Sequence, residues 1–193
     1  MKRTHPFKKG IRVLGIAESF VPHIDEHSLL AGVVMRKDLI IDGFSFASAK
    51  VGGDDATSVI VSLYKALGRN DINVLMLSGA VLSFYNIVDL ERLQRETRLP
   101  IICLTYRESP GLEENIKKHF PRSHARKLKR YGKLGRRSAV DLRTGKRVYV
   151  RALGIEEGEV KEILDAFSLE GKYPEPVRVA GLLAASVRTS SRP

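Results

Sequence analysis

The sequence predicts an α/β fold, a mixed sheet flanked by helices, and three observations carry that reading. Between Asn73 and Tyr106, NVLMLSG, YNIVDLERLQRETR and LPIICLTY read as strand, helix and strand. Both strands are near-continuous apolar runs, the pattern of a parallel sheet covered on its two faces. Between them Ile87, Leu90 and Leu93 recur at helical spacing, while Glu91, Arg92, Arg95 and Glu96 take the opposite side. At 193 residues the chain suits one domain, 1–193, with a sizeable core.

The other elements follow in order. Ile11–Ile16 is the first strand and Val21–Ser28 a polar loop. Leu29–Met35 and Leu39–Ala47 form a hairpin around Arg36-Lys37-Asp38. A helix over Asp55–Leu67 places Val59, Ile60, Leu63 and Leu67 on its apolar face and stops before the polar turn Gly68-Arg69-Asn70-Asp71. Past Pro110 a helix carries a basic segment, the insert 111–151. Ala139–Leu142 and Arg147–Ala152 flank Arg143-Thr144-Gly145-Lys146 as a second hairpin. Two helices close the chain: Glu156–Phe167, with Val160, Ile163, Leu164 and Phe167 on one face, and one after Pro174 with Pro176 in its first turn. Residues 188–193 are expected to fray.

Charge points to polyanions. The net charge is +11, but Lys117–Arg151 holds 14 Lys and Arg against the single acid Asp141, a local balance of +13 that leaves −2 for the remainder. Such a patch neutralises phosphates and releases counterions, the main source of non-specific affinity for nucleic acid. Lys117, Lys118, Arg122, Arg126, Lys127, Lys129, Arg130, Arg136 and Arg137 are the candidate contacts, with His119, Phe120, His124 and Tyr131 interleaved as stacking partners for exposed bases. The plainer reading is a solvated face that keeps a small protein in solution.

Other classes are excluded or disfavoured. The single cysteine, Cys103, lies in an apolar strand, so no intramolecular disulfide and no zinc-finger spacing exist. The start MKRTHPFKKG is basic without the apolar core of a signal peptide, and no apolar run reaches membrane-spanning length. A cytoplasmic protein is expected. His23 and His27 are four apart, a spacing that suits zinc only on a helix, and nothing makes that loop one.

Four collinear blocks carry a family resemblance: IRVLGIAES (Ile11–Ser19), VGGDDATSVI (Val51–Ile60), the Asn73–Tyr106 unit and YPEPVRVAGLLA (Tyr173–Ala184). They resemble endonuclease V, a metal-dependent repair nuclease with a ribonuclease H-like fold. More closely they resemble the archaeal endonuclease V-like family called endonuclease dU, in which GGDDAT and the YNIVD segment are hallmarks. The resemblance spans roughly Lys9 to Val187 and implies a ribonuclease H-like mixed sheet, action on damaged DNA or RNA, and Mg2+ or Mn2+.

Carried over residue by residue, it lands on unexpected side chains. The aspartate that ends the first strand of endonuclease V falls on Ala17, with Glu18 one place along. A second acid falls on Asp54 or Asp55. A Val-Asp-Gly falls on Leu77-Ser78-Gly79, a lysine on Tyr106 and a Gly-His on Gly154-Ile155; the Pro-Tyr-Ile-Pro wedge has no counterpart before Gly52. A magnesium-type site needs carboxylate oxygens, which leaves Glu18, Asp54, Asp55 and Asp89 as catalytic candidates and Glu18, Asp54 and Asp55 as metal ligands. Each has an ordinary alternative: Asp55 as helix N-cap, Asp89 as first-turn charge favoured by the helix dipole, Glu18 as a solvated strand end. A non-catalytic nucleic-acid-binding protein explains Ala17, Ser78 and Ile155 with less strain. A hydrolase of a small phosphorylated substrate would use Gly52 and Gly53 as an anion loop.

Overall fold

The computed structural model describes residues 10–190. Its centre is a seven-stranded mixed sheet. In chain order the elements are β1 (Arg12–Ser19), β2 (His27–Arg36), β3 (Ile41–Lys50), α1 (Ala56–Ala66), β4 (Val74–Leu77), β5 (Val81–Leu82), β6 (Asn86–Ile87), α2 (Leu90–Thr97), β7 (Ile101–Thr105), α3 (Glu113–His119), α4 (His124–Lys133), β8 (Ser138–Asp141), β9 (Arg147–Leu153), α5 (Glu157–Phe167) and α6 (Glu175–Ser190). The sheet order is β3-β2-β1-β4-β7-β9-β8. The central β1, β4 and β7 are parallel and every other pairing is antiparallel.

Both faces of the central strands β1, β4 and β7 are covered, as their unbroken apolar runs require. Leu14 and Ile16 of β1 join Leu75, Leu77, Ile101 and Cys103 in a core beneath α1 and α2. Val13 and Ala17 join Met76, Ile102 and Leu104 in the opposite core beneath α5 and α6. Gly15 is required where β1 meets α6, since a Cβ there would collide with the backbone of Pro176. Burial pushes the Cys103 thiol up to about 12, so it serves as packing.

Four expectations change. β1 runs on to Ser19 and β3 to Lys50, because their polar ends stay paired with β2. The crossover helix starts only at Leu90: Asn86 and Ile87 belong to the small β5–β6 hairpin, and buried Ile87 contributes to the core from there. The basic segment is two helices, α3 and α4, separated at Pro121. The last helix is ordered through Ser190, with Arg188 donating to Ser19 Oγ at 2.8 Å and lying 3.9 Å from Asp25. Residues 188–190 are thus helical here, and 191–193 lie outside the described residues.

Candidate functional site

The parallel strands β1, β4 and β7 point their C-terminal ends at one edge, where open α/β sheets place their ligands. Glu18 stands at the end of β1 on the α1 side. Its carboxylate accepts from the Ser83 backbone N–H at 2.8 Å, from Ser83 Oγ at 2.6 Å and from Ser28 Oγ at 2.8 Å. Ser83 opens a run of three left-handed residues, with Phe84 and Tyr85, at φ of 44°, 56° and 64°. Non-glycine residues adopt that conformation at a cost, so three in succession need outside support. Glu18 holds the first N–H, Gly52 N–H donates to Ser83 O at 2.6 Å, and Lys127 Nζ donates to Tyr85 O at 3.0 Å. Glu18 is thus a structural acceptor rather than a solvated strand end.

Asp55 occupies the N-cap position of α1 without capping it. The cap comes from Asn86, fully buried, whose Oδ1 accepts from Ala56 N–H at 3.0 Å while its Nδ2 donates to Lys50 O at 3.0 Å and Asp55 Oδ1 at 2.5 Å. Asp55 also accepts from Lys50 N–H at 3.2 Å. Asp89 is an ordinary N-cap: its carboxylate accepts from Arg92 N–H at 2.9 Å. The amides of the anion-loop candidates are spent within the protein, Gly52 on Ser83 O and Gly53 on Lys50 O at 3.0 Å. Neither is left to hold a phosphate.

Asp54 is held by α4. Arg126 donates to its Oδ2, Arg130 donates to Oδ1 at 2.8 Å, and Lys127 Nζ lies 3.5 Å from Oδ1. Lys127 is only 1% exposed, contrary to its expected place on an open basic face. Its ammonium donates to Gly53 O at 2.8 Å and to Tyr85 O, and sits 4.6 Å from the centre of the Phe120 ring. Burial pulls its pKa below the ordinary lysine range despite the nearby Asp54 carboxylate. Lys127 thereby ties three segments together: α4, the Gly53 loop and the strained Ser83–Tyr85 turn.

The other basic candidates are placed differently. Lys117 pairs with Glu114 at 2.7 Å, and Arg137 donates to Ser109 O at 2.6 Å. Lys118, Arg122, Lys129 and Arg136 are exposed, and among the described residues no acid pairs with them. Beside them lies an aromatic cluster. Phe84 has its ring 5.0 Å from His119, 5.1 Å from Tyr85, 5.9 Å from His23 and 6.0 Å from Phe120. His23 sits in a turn and His27 on β2, so no helix presents the pair together.

On the α6 side of the same edge two positions matched by the resemblance, Ala17 and Tyr106, are closed. Ala17 is 4% exposed, and a Cβ on Gly181 of α6 would touch its methyl at 3.7 Å. Tyr106 packs on Tyr173 with ring centres 4.3 Å apart, and Lys172 donates to Tyr106 O at 3.0 Å. Burial raises the Tyr106 phenol well above its usual range, which favours packing over acid catalysis. Glu175, buried at the start of α6, is bound by Arg178 at 2.6 Å. Gly154-Ile155 is not at this edge: it follows β9, whose Leu153 pairs with Ile101 at the start of β7, so it lies across the sheet, where Gly154 meets Gln94 and Ile155 packs against the α5–α6 core.

Divalent metal binding is a matter of free carboxylate oxygens. Among the described residues no group of three or more His, Cys, Asp and Glu could hold a metal ion. Glu18, Asp54 and Asp55 are each saturated by serine, arginine, lysine or asparagine donors, so in this arrangement they do not fit Mg2+ or Mn2+. Three contributors escaped the sequence reading: Ser83, Asn86 and the buried role of Lys127. Asn86 had a trace, standing in the YNIVD segment, whereas a lysine in a basic run carries no mark of burial.

Comparison with known proteins agrees with the architecture. The family model described as endonuclease dU matches residues 9–188. A UPF0215 protein of Pyrobaculum calidifontis is 36% identical over 176 residues, covering 91% of this chain and 96% of its own. The crystal structure of a protein of unknown function from Archaeoglobus fulgidus superposes with a TM-score of 0.77 at 26% identity, covering 92% of this chain and 98% of that one. Endonuclease V of Ciona intestinalis, in complex with a 24mer DNA containing an inosine followed by a ribo-adenosine, superposes with a TM-score of 0.65 at 15% identity, covering 95% and 88%. At that identity the likeness concerns the fold. No helix among the described residues is long and apolar enough to cross a membrane.

Proposed function

The chain belongs to the endonuclease dU family, and on that premise we propose that it binds DNA or RNA through α4 and the surrounding basic insert, presenting the nucleic acid to the edge where β1, β4 and β7 end. The observation that carries this reading is the position of α4: it packs on the Gly53 and Ser83–Tyr85 loops at that edge, and Arg122 in the turn before it and Lys129 on it face solvent. Exposed cations without acidic partners are free to exchange counterions for phosphates, and the Phe84–His119 cluster offers faces on which unpaired bases stack.

A second reading is favoured by one feature, three carboxylates at that same edge: Glu18 at the end of β1, and Asp54 and Asp55 on the loop that α4 grips through Asp54. Under it the protein is a metal-dependent nuclease acting on damaged nucleic acid in the cytoplasm, with Mg2+ or Mn2+ recruited to carboxylates that must first leave their present partners. The two readings separate in one experiment. Purified protein is incubated with labelled oligonucleotides, intact and deaminated, with Mg2+, Mn2+ or EDTA. Salt-sensitive binding without cleavage supports the binding protein; metal-dependent cleavage lost in Asp55→Asn supports the nuclease; absence of both overturns the nucleic-acid assignment.

A further inference from the structure

We propose that Arg126 and Arg130, backed by Lys127, form a seat for a single phosphate, and that Asp54 fills this seat in the free protein as a stand-in for the phosphate. The identity of the ligand, a phosphate of a nucleic-acid backbone, rests on the reading above; the seat itself rests on geometry. Three cations converge on one carboxylate, so the cluster keeps two positive charges beyond what Asp54 neutralises. The Arg126 and Arg130 side chains are 63% and 38% exposed, so a ligand reaches both from solvent. The lysine behind them is anchored in the fold: its ammonium also donates to Gly53 O and Tyr85 O.

A phosphate suits this seat better than a carboxylate does. It offers more acceptor oxygens, and a guanidinium fork engages two of them in parallel. Asp54 lies on a loop rather than in a helix or strand, so it leaves without breaking an element. The competition is intramolecular, and an opposite sign of effect distinguishes it from the commonplace role. If Asp54 merely anchors α4, removing its charge loosens the binding surface and weakens affinity. If Asp54 occupies the seat, removing its charge opens the seat and strengthens affinity.

The test is fluorescence anisotropy of a labelled single-stranded 12-mer DNA in EDTA, over a range of salt, with wild type and Asp54→Asn. The variant should bind more tightly, roughly three- to fivefold for a half-exposed ion pair, with the slope of log K against log salt steeper by up to about 0.7 for one further phosphate. Adding Arg130→Gln to Asp54→Asn should remove the gain. Because Asp54→Asn could loosen the fold, the 13C resonance of the Asp54 carboxyl is also followed in wild type, where it should move toward that of a solvated carboxylate as the 12-mer saturates. A folded variant with equal or weaker affinity, or an unmoved resonance at saturation, overturns the seat while leaving nucleic-acid binding intact. If no oligonucleotide binds either protein but Asp54→Asn binds pyrophosphate more tightly through Arg130, the seat stands and the nucleic-acid reading falls; if pyrophosphate binding shows no such gain either, both fall.

Discussion

Two faces of one sheet meet the same edge and are built in opposite ways. On the α6 face, Ala17 lies under Gly181, Gly15 admits Pro176, and Tyr106 is stacked on Tyr173. On the α1 face, one residue further along β1, Glu18 enters a polar web of Ser28, Ser83 and, through Gly52, the loop that carries Asp54 and Asp55. Successive strand side chains point to opposite faces, so a single step from 17 to 18 carries a carboxylate through the sheet. Glu18 therefore does not replace a ligand at 17. It serves a different surface, and the position where the resemblance places a metal-binding aspartate has become helix packing.

The sharpest way to break this contrast is to put the carboxylate back. Ala17→Asp should destabilise the protein by about 3 kcal/mol or more, since it buries a charge with no partner against α6. Denaturant unfolding measures it; stability equal to wild type would mean that α6 yields and the face is open. On the other side, Lys127→Met should cost about 1–3 kcal/mol by leaving Gly53 O and Tyr85 O without their donor. The pH dependence has a definite sign. Because the folded protein holds Lys127 below its ordinary pKa, the unfolded chain binds that proton more readily, so this group's contribution grows as pH rises from the folded value toward 10.5. Wild type should gain on Lys127→Met over that interval, and parallel stability curves would contradict the burial. Glu18→Gln keeps the shape and removes the charge; it should cost about 1–2 kcal/mol through the bonds to Ser83. An unchanged melting temperature would show that the Ser83–Tyr85 turn does not depend on Glu18.

The fold was legible because its strands are written in unbroken apolar runs and its hairpins in short polar turns; β4, β7, α1 and α5 lie where those patterns place them. The start of α2 is not legible because Ile87 falls at helical spacing with Leu90 and Leu93 while its backbone pairs with Val81. The site was less legible for a different reason. Asp54, Asp55 and Glu18 are visible as acids, but what each does depends on partners far away in the chain: Arg130 for Asp54, Asn86 for Asp55 and Ser83 for Glu18. Local sequence reports a charge and is silent about what neutralises it. Lys127 shows this most clearly, a lysine among lysines whose helix turns it inward.

The smallest effect on stability should accompany the most direct test of function. Lys118, Arg122 and Lys129 are exposed and unpaired among the described residues, so replacing all three with Gln should shift stability by no more than about 0.5 kcal/mol for each. Binding should respond strongly. Measured by anisotropy on duplex DNA, the slope of log K against log salt should flatten by up to roughly 0.9 for each phosphate the variant no longer neutralises, with affinity falling alike for all sequences. A folded triple variant that binds DNA and RNA with the wild-type affinity and salt slope would contradict the claim that α4 and the surrounding basic insert grip a nucleic-acid backbone.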